Sequence, residues 1–328
     1  MVAVSLDPQT GVFRDLTPEQ IKIKGVSADV QSCKRLSGPR HIIMLLDLSP
    51  SFWMGHASRQ NVSEVARQFI TQRRSEDWLA LHVFAQKHQV LVPFTQDPAS
   101  ILKELNRVSA VKDMALVKEF GRFADVPKSL RTTLEAAKSE FGFGDVIVVI
   151  SMGVFHDLKS KGLEKIQIEL GRLGIRTYLF RAAEWVEPKA MFAQLSTNAI
   201  PKDVYDDPGL QQIQQILKEQ EELVSPTGGM IITPRLVSRP VVSSRLFPLG
   251  YIDAAFQPDW VSGAAISLME LIHNSFQIEI EAKEPVRKPR PIILKAIDAQ
   301  EGKEQNILLQ HFRWILPAEM KSTNPKGP

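Results

Sequence analysis

The stretch HIIMLLDLSPS, residues 41–51, decides the fold of this chain. Its five consecutive apolar residues, IIMLL, come directly before Asp47, where a polar loop begins. A short apolar run without polar alternation is typical of a strand buried on both faces, as the strands of a parallel sheet are. Asp47, Ser49 and Ser51 then occupy alternate positions, so three oxygen-bearing side chains can converge on one cation or hydrogen-bond the backbone of a turn.

Similar apolar strands alternate with amphipathic helices further along the chain. DVIVVI (145–150) and IRTYLF (175–180) read as buried strands, and LEKIQIELGRLG (163–174) reads as an amphipathic helix that ends in glycine. This alternation predicts an α/β fold with a doubly wound, mostly parallel sheet. Ligands of such sheets bind at the carboxyl ends of the strands, which is where residues 47–51 are expected to lie.

Both ends of the chain have a different pattern. Residues 1–38 and 277–328 contain short alternating strands and no long amphipathic helix. We predict that these two segments pair as a small β appendage beside a domain of residues 39–276. Within that domain, residues 234–262 contain several prolines and no clear periodicity, which predicts a long loop or insertion.

Composition excludes several classes of protein. The 328 residues include 40 Lys and Arg against 37 Asp and Glu, so the chain lacks the strongly basic balance of a nucleic-acid binder. Cys33 is the sole cysteine, which rules out an intrachain disulfide and a cysteine-rich metal site. No apolar run reaches the ~18 residues of a membrane span. The start, MVAVSLD, has no signal-peptide pattern and predicts either a cytosolic protein or one whose leader has been removed.

Together these segments resemble the von Willebrand factor type A domain, and most closely its bacterial, acidobacterial-type subfamily. The resemblance covers nearly the whole chain. It is carried by residues 2–24, by HIIMLLDLSPS, by GFGDVIVVISMG (142–153) and by the Thr-Gly-Gly turn of VSPTGGMIITP (224–234). It implies a Rossmann-like fold and a non-enzymatic, adhesion-type protein-binding role. It also implies a secreted or periplasmic bacterial protein, with a cytoplasmic location as the alternative.

The resemblance further implies a metal-ion-dependent adhesion site. Its first loop, Asp-x-Ser-x-Ser, is matched by Asp47, Ser49 and Ser51. The metal-binding aspartate of the family's Thr-Asp-Gly motif is replaced by Met152, within Ser-Met-Gly.

A threonine of the same site also has no counterpart here. Depending on the alignment of the preceding loop, it falls on Ala124 or on Lys128. Mg²⁺ requires near-octahedral oxygen coordination, and one carboxylate with two hydroxyls supplies little charge. We therefore predict a degenerate site without a bound cofactor. A Mg²⁺-dependent adhesion module is the alternative.

Apolar side chains flank the same strand ends. Phe52, Trp53, Met152 and Phe155 are candidate partner-binding residues, because aromatic residues and methionine are enriched in interface cores. The alternative is that they pack the loops against the first helix. The partner is predicted to be a protein.

A hydrolase using Ser49 or Ser51 is a less favoured function. It would need a histidine such as His41, His56 or His156 near the same strand ends. No Gly-x-Ser-x-Gly elbow is present in the sequence, so we predict no enzymatic activity.

Overall fold

The structure is a computed structural model and describes residues 2–5, 16–49, 55–151, 161–182, 184–185, 208–232, 251–252, 258–298, 305–308 and 310–315. The helices are α1 Gly55–Gln72, α2 Pro98–Ser109, α3 Asp113–Phe120, α4 Val126–Ala137, α5 Lys161–Leu173, α6 Pro208–Val224 and α7 Pro258–His273. The strands are β1 Val2–Ser5, β2 Ile21–Lys24, β3 Ala28–Arg35, β4 His41–Asp47, β5 Trp78–Phe84, β6 His88–Thr95, β7 Val146–Ser151, β8 Arg176–Arg181, β9 Glu184–Trp185, β10 Ile231–Ile232, β11 Tyr251–Ile252, β12 Ser275–Ala282, β13 Arg290–Pro291, β14 Ile293–Asp298, β15 Gln305–Leu308, β16 Gln310–His311 and β17 Trp314–Ile315.

A six-stranded sheet forms the centre of the molecule, in the order β10-β8-β7-β4-β5-β6. Every neighbouring pair is parallel except β5 and β6, which form an antiparallel hairpin. The predicted α/β, doubly wound, mostly parallel fold is therefore confirmed. The chain proceeds from β4 to β5 on one side and later returns to place β7 on the other side of β4.

Strand β4 is covered by helices on both faces. Ile42, Met44 and Leu46 belong to an apolar cluster that also contains residues of α1, α2 and α7. Ile43 and Leu45, at the intervening positions, belong to a second cluster with residues of α4 and α5. All five side chains are at most 1% exposed. This two-sided burial is the physical reason for the unbroken apolar run in the sequence.

The β appendage is built from both ends of the chain, as predicted. β1 pairs antiparallel with β12, which also pairs with β3, and β16 pairs with β1. β2 pairs antiparallel with β14, which also pairs with β15. The boundaries of 1–38, 39–276 and 277–328 stay a prediction.

The predicted loop at residues 234–262 is too long at its C-terminal end. Helix α7 begins at Pro258 and so includes residues assigned to that loop. Proline suits the first position of a helix, and Asp259 in the first turn complements the helix dipole. Residues 233–250 and 253–257 lie outside the described residues. Helix α3 was also not expected from the sequence.

Phe312 attaches the appendage to the domain. Its side chain is 3% exposed, and its ring lies against Gly171 of α5, where an added Cβ would overlap three ring atoms. Phe312 also forms a β-bridge with Thr227, and the neighbouring Arg313 N–H donates to the Pro226 carbonyl at 3.0 Å. A glycine at position 171 is therefore required by the packing of the ring.

The Thr-Gly-Gly turn at residues 227–229 joins α6 to the edge of the sheet. The Thr227 hydroxyl accepts the Thr177 N–H at 2.8 Å and donates to the Val224 carbonyl at 2.9 Å. Gly228 has φ +82°, in the left-handed region that favours glycine. The turn therefore satisfies a buried backbone donor of β8 at the start of that strand.

No helix among the described residues is long and apolar enough to cross a membrane.

Candidate functional site

The candidate site lies at the carboxyl ends of β4 and β7. These two strands are neighbours, and the chain's connections leave them in opposite directions, so the crevice between their ends is the topological switch point of the sheet. Asp47 is the last residue of β4 and Ser151 is the last residue of β7. The sheet register therefore brings together two polar side chains that are 104 residues apart in sequence.

Both carboxylate oxygens of Asp47 accept hydrogen bonds from the protein. The Ser49 N–H donates to Oδ1 at 2.8 Å, and the Ser151 hydroxyl donates to Oδ2 at 2.6 Å. The second bond is buried, and its short length is typical of a hydroxyl that donates to a charged oxygen. Asp47 itself is 8% exposed. A cation at this carboxylate would have to displace these donors or share the oxygens with them.

The loop of residues 121–125 contains the position where the family's threonine would fall. Ala124 is 1% exposed and belongs to the apolar cluster on the α4 side of the sheet. At the alternative position, the exposed Lys128 ammonium donates to the Gln86 carbonyl at 3.3 Å. Neither position provides a side-chain oxygen.

Asp125 has a structural task in the same loop. Its carboxylate caps α4 by accepting the Lys128 N–H at 3.1 Å, and its backbone N–H donates to the Ala85 carbonyl at 3.0 Å. The Ser129 hydroxyl donates to the Asp125 carbonyl at 2.7 Å. These bonds hold the loop next to the end of β5 and account for an acidic residue at the start of the helix.

Of the predicted site residues, the structure describes Asp47 and Ser49. The other five, Ser51, Phe52, Trp53, Met152 and Phe155, lie outside the described residues and stay predictions.

Sequence reasoning missed Ser151 as a member of the site. Its signal was its place in Ser-Met-Gly, directly before the substituted Met152. Within the parts of the chain that the structure describes, no cluster of three or more His, Cys, Asp or Glu side chains is arranged to hold a metal ion.

His41 does not lie near the strand-end loop. His41 begins β4, whereas Asp47 ends it, so about 20 Å of strand separates them at ~3.3 Å per residue. His41 therefore lies at the opposite end of β4 from Asp47 and is not placed to serve a hydrolase that uses Ser49. The His41 ring instead contacts Asp145 at 3.2 Å, and burial raises the pKa of that carboxyl despite hydrogen bonds from Gly142 and His41.

A second His–Asp contact lies at that same end of the sheet, where the parallel strands begin. His273 Nε2 is 2.9 Å from Asp77 Oδ2, and Asp77 also accepts the Arg40 N–H at 2.9 Å. Both members of the pair are almost fully buried. This contact links α7 to the start of β5, at the end of the sheet opposite to the candidate site. His56 lies in α1, and His156 lies outside the described residues.

An exposed aromatic side chain accompanies the site. Phe123 lies in the loop of residues 121–125 and is 48% exposed. The Gln86 and Lys87 N–H groups donate to the Phe120 carbonyl, so this loop is held against the hairpin that ends β5. Sequence analysis had not assigned Phe123 a role.

Comparison with known proteins gives one family match. The model of the von Willebrand factor type A domain matches residues 42–153, which run from β4 to just past the end of β7. No curated protein matches the chain.

Solved structures are similar at low sequence identity. BatB from Bacteroides thetaiotaomicron has 16% identity and a TM-score of 0.39, covering 59% of this chain and 89% of its own. A von Willebrand factor type A protein from Catenulispora acidiphila has 9% identity and a TM-score of 0.47, covering 90% and 75%. The family match spans the strands that form the candidate site, so residues 42–153 of the chain carry a von Willebrand factor type A domain.

Proposed function

We propose that this protein is a non-enzymatic, adhesion-type binding module whose strand-end loops contact a protein partner without a tightly bound metal ion. The observation that supports it most directly is that both oxygens of the Asp47 carboxylate accept hydrogen bonds from the protein. Domains of this family are generally interaction modules, which is consistent with a binding role.

Charge compensation argues against tight Mg²⁺ binding. Mg²⁺ sites usually use one or two carboxylates and near-ideal octahedral oxygen geometry. Here Asp47 is the one carboxylate of the motif, while Met152 and Ala124 carry no oxygen in their side chains. A thioether is a poor ligand for a hard cation. The Ser151 hydroxyl and the Ser49 N–H take the role of partners for the negative charge.

Apolar contact is the proposed replacement for the metal. Phe52, Trp53, Met152 and Phe155 follow the ends of β4 and β7, and Phe123 in the adjacent loop is 48% exposed. Exposed apolar groups clustered on one surface are typical of contact sites, and aromatic residues supply much of the binding energy at interfaces. The partner is expected to present an apolar surface to these strand-end loops.

Calorimetric titration with Mg²⁺ and Mn²⁺ tests the absence of metal. The unmodified protein is expected to give no binding heat at micromolar concentrations. The double variant Ala124→Thr, Met152→Asp is expected to gain binding, because it adds a second carboxylate and a hydroxyl. Micromolar Mg²⁺ binding by the unmodified protein, lost in Asp47→Ala, would establish the alternative Mg²⁺-dependent module instead.

Partner capture tests the apolar contact. A protein captured by the unmodified chain should be lost with Trp53→Ala or Phe123→Ala, since truncating a buried interface aromatic can cost ~2 kcal/mol or more. A chelator should have no effect. Ile266→Ala is the matched control, because Ile266 is a large apolar residue that is 43% exposed on α7. Loss of capture with the chelator but not with Trp53→Ala would contradict the proposal.

The hydrolase alternative has its own test. An esterase and peptidase screen of the purified protein is expected to find no turnover. Activity that disappears in Ser49→Ala would overturn the non-enzymatic assignment. The proposed location, secreted or periplasmic rather than cytoplasmic, is tested separately by cell fractionation.

A further inference from the structure

The outer face of the β2–β14 strand pair carries a concentration of positive charge. Lys22 lies directly opposite Lys295 in the antiparallel register, and Lys24 lies opposite Ile293. Lys22 and Lys24 are exposed, Lys295 is half-buried, and Ile293 is 46% exposed. The alternate residues face inward, so Ile21, Leu294 and Ala296 are buried in the core of the appendage.

More cations follow at one end of this pair. The backbone at Gly25, just after Lys24, closely approaches Pro291. The exposed residues Arg287, Lys288 and Arg290 lie in the segment leading into that point. The three lysines of the strand pair and the three cations of this segment are here together called the basic strip: Lys22, Lys24, Lys295, Arg287, Lys288 and Arg290. Two exposed acidic residues, Glu19 and Glu284, flank it in sequence.

Protection of a sheet edge does not account for the basic strip. Lysines on an exposed edge strand prevent unwanted pairing, and this explains Lys22 and Lys24 on β2. However, β14 is the central strand of its three-stranded sheet, and its Lys295 faces Lys22. Edge protection therefore accounts for Lys22 and Lys24 but not for Lys295.

We propose that the basic strip binds the anionic surface of a lipid bilayer. Lysine ammonium groups act as mobile point charges and suit a fluid array of phosphate and carboxylate headgroups. Ile293, exposed among the cations, would gain by insertion into the apolar boundary beneath the headgroups. A nucleic acid would match the charge but would offer no apolar environment for Ile293. The proposal concerns the appendage and is independent of the function assigned to the strand-end loops.

Vesicle sedimentation tests the proposal. The unmodified protein should bind phosphatidylcholine vesicles that contain a quarter phosphatidylserine, and should not bind vesicles of phosphatidylcholine alone. Each lysine near an anionic surface contributes about fivefold to binding, so Lys22→Gln, Lys24→Gln, Lys295→Gln together should weaken it on the order of 100-fold. Raising the salt concentration should also release the protein.

Three matched variants separate binding from folding and from net charge. Lys103→Gln, Lys118→Gln, Lys165→Gln together remove the same charge from three exposed helical lysines and should bind normally. Lys295→Glu places opposite charges across the strand pair, so it should weaken binding without lowering Tm. Ile293→Ser should weaken vesicle binding several-fold, since it removes the apolar contact.

Several results would overturn the proposal. One is equal binding to neutral and anionic vesicles, and another is an equal loss in the helical control. A third is duplex DNA binding that depends on the same lysines but not on Ile293, without binding to anionic vesicles.

Discussion

Replacing Gly171 with alanine tests the attachment of the appendage, because two opposing effects act at this position. Gly171 is buried in the last turn of α5, and an added Cβ would overlap the Cε2, Cδ2 and Cζ atoms of the Phe312 ring. By helix propensity alone, Gly→Ala stabilises a helix by ~1 kcal/mol. The structure predicts that the overlap outweighs this gain.

The size of the effect follows from how firmly the ring is held. Overpacking a buried site costs ~1–3 kcal/mol. The Phe312 backbone cannot withdraw freely, because the Arg313 N–H donates to Pro226 and the Arg313 carbonyl accepts the Ile292 N–H at 2.8 Å. The cost is therefore expected near the upper end of that range. Subtracting the propensity gain of ~1 kcal/mol leaves Gly171→Ala less stable than the unmodified protein by ~2 kcal/mol.

A double-mutant cycle with Phe312→Ala isolates the contact. Removing the ring should itself cost ~3–5 kcal/mol. In that background the Cβ of alanine meets no ring, so Gly171→Ala should become neutral or stabilising by up to ~1 kcal/mol. Urea unfolding followed by circular dichroism measures all four proteins. A Gly171→Ala variant that is more stable than the unmodified protein would refute the described contact.

Three further predictions concern buried polar groups. Thr227→Val should lower the free energy of unfolding by ~1–3 kcal/mol in urea titrations, because it leaves the buried Thr177 N–H without its acceptor, whereas Thr227→Ser should be close to neutral. Ser151→Ala, measured in the same way, should cost ~1–2 kcal/mol through loss of the 2.6 Å bond to Asp47, and an unchanged stability would contradict that bond. Burial, together with the neighbouring His88, lowers the pKa of His82 to about 3. Below pH ~6.5 the His82 side chain therefore becomes protonated in the unfolded chain but stays neutral in the folded chain. Stability should therefore fall as the pH decreases from ~6.5 towards ~3, and His82→Gln should reduce that slope by up to ~1.4 kcal/mol per pH unit, as chemical unfolding at several pH values would reveal.

The fold was predictable because its decisive signals are local. The apolar runs of β4 and β7 reflect burial on both faces of a strand, and that burial needs helices on either side. The alternation of β2 and β14 likewise reflects one buried and one exposed face. Such patterns can be recognised from residues that are neighbours in the sequence. Helix α3, with eight residues, is too short for periodicity to identify it.

The candidate site was only partly predictable because its contacts join distant parts of the chain. Asp47 was recognisable from its place after a buried strand, but its partner Ser151 follows from the register of β4 against β7. The packing of Phe312 on Gly171 likewise depends on how the appendage lies on α5. A glycine in a helix and an aromatic residue between two short strands give no sign, taken singly, that they belong together.

The hydrogen bonds of Asp47 explain how the strand-end geometry can persist without a cation. A largely buried carboxylate is costly unless its charge meets donors or a metal. The Ser151 hydroxyl and the Ser49 N–H supply such donors at 2.6 and 2.8 Å. The charge at the end of β4 can therefore be retained while the oxygen ligands at positions 124 and 152 are absent. The aspartate then stabilises the turn at the end of β4 through the Ser49 N–H.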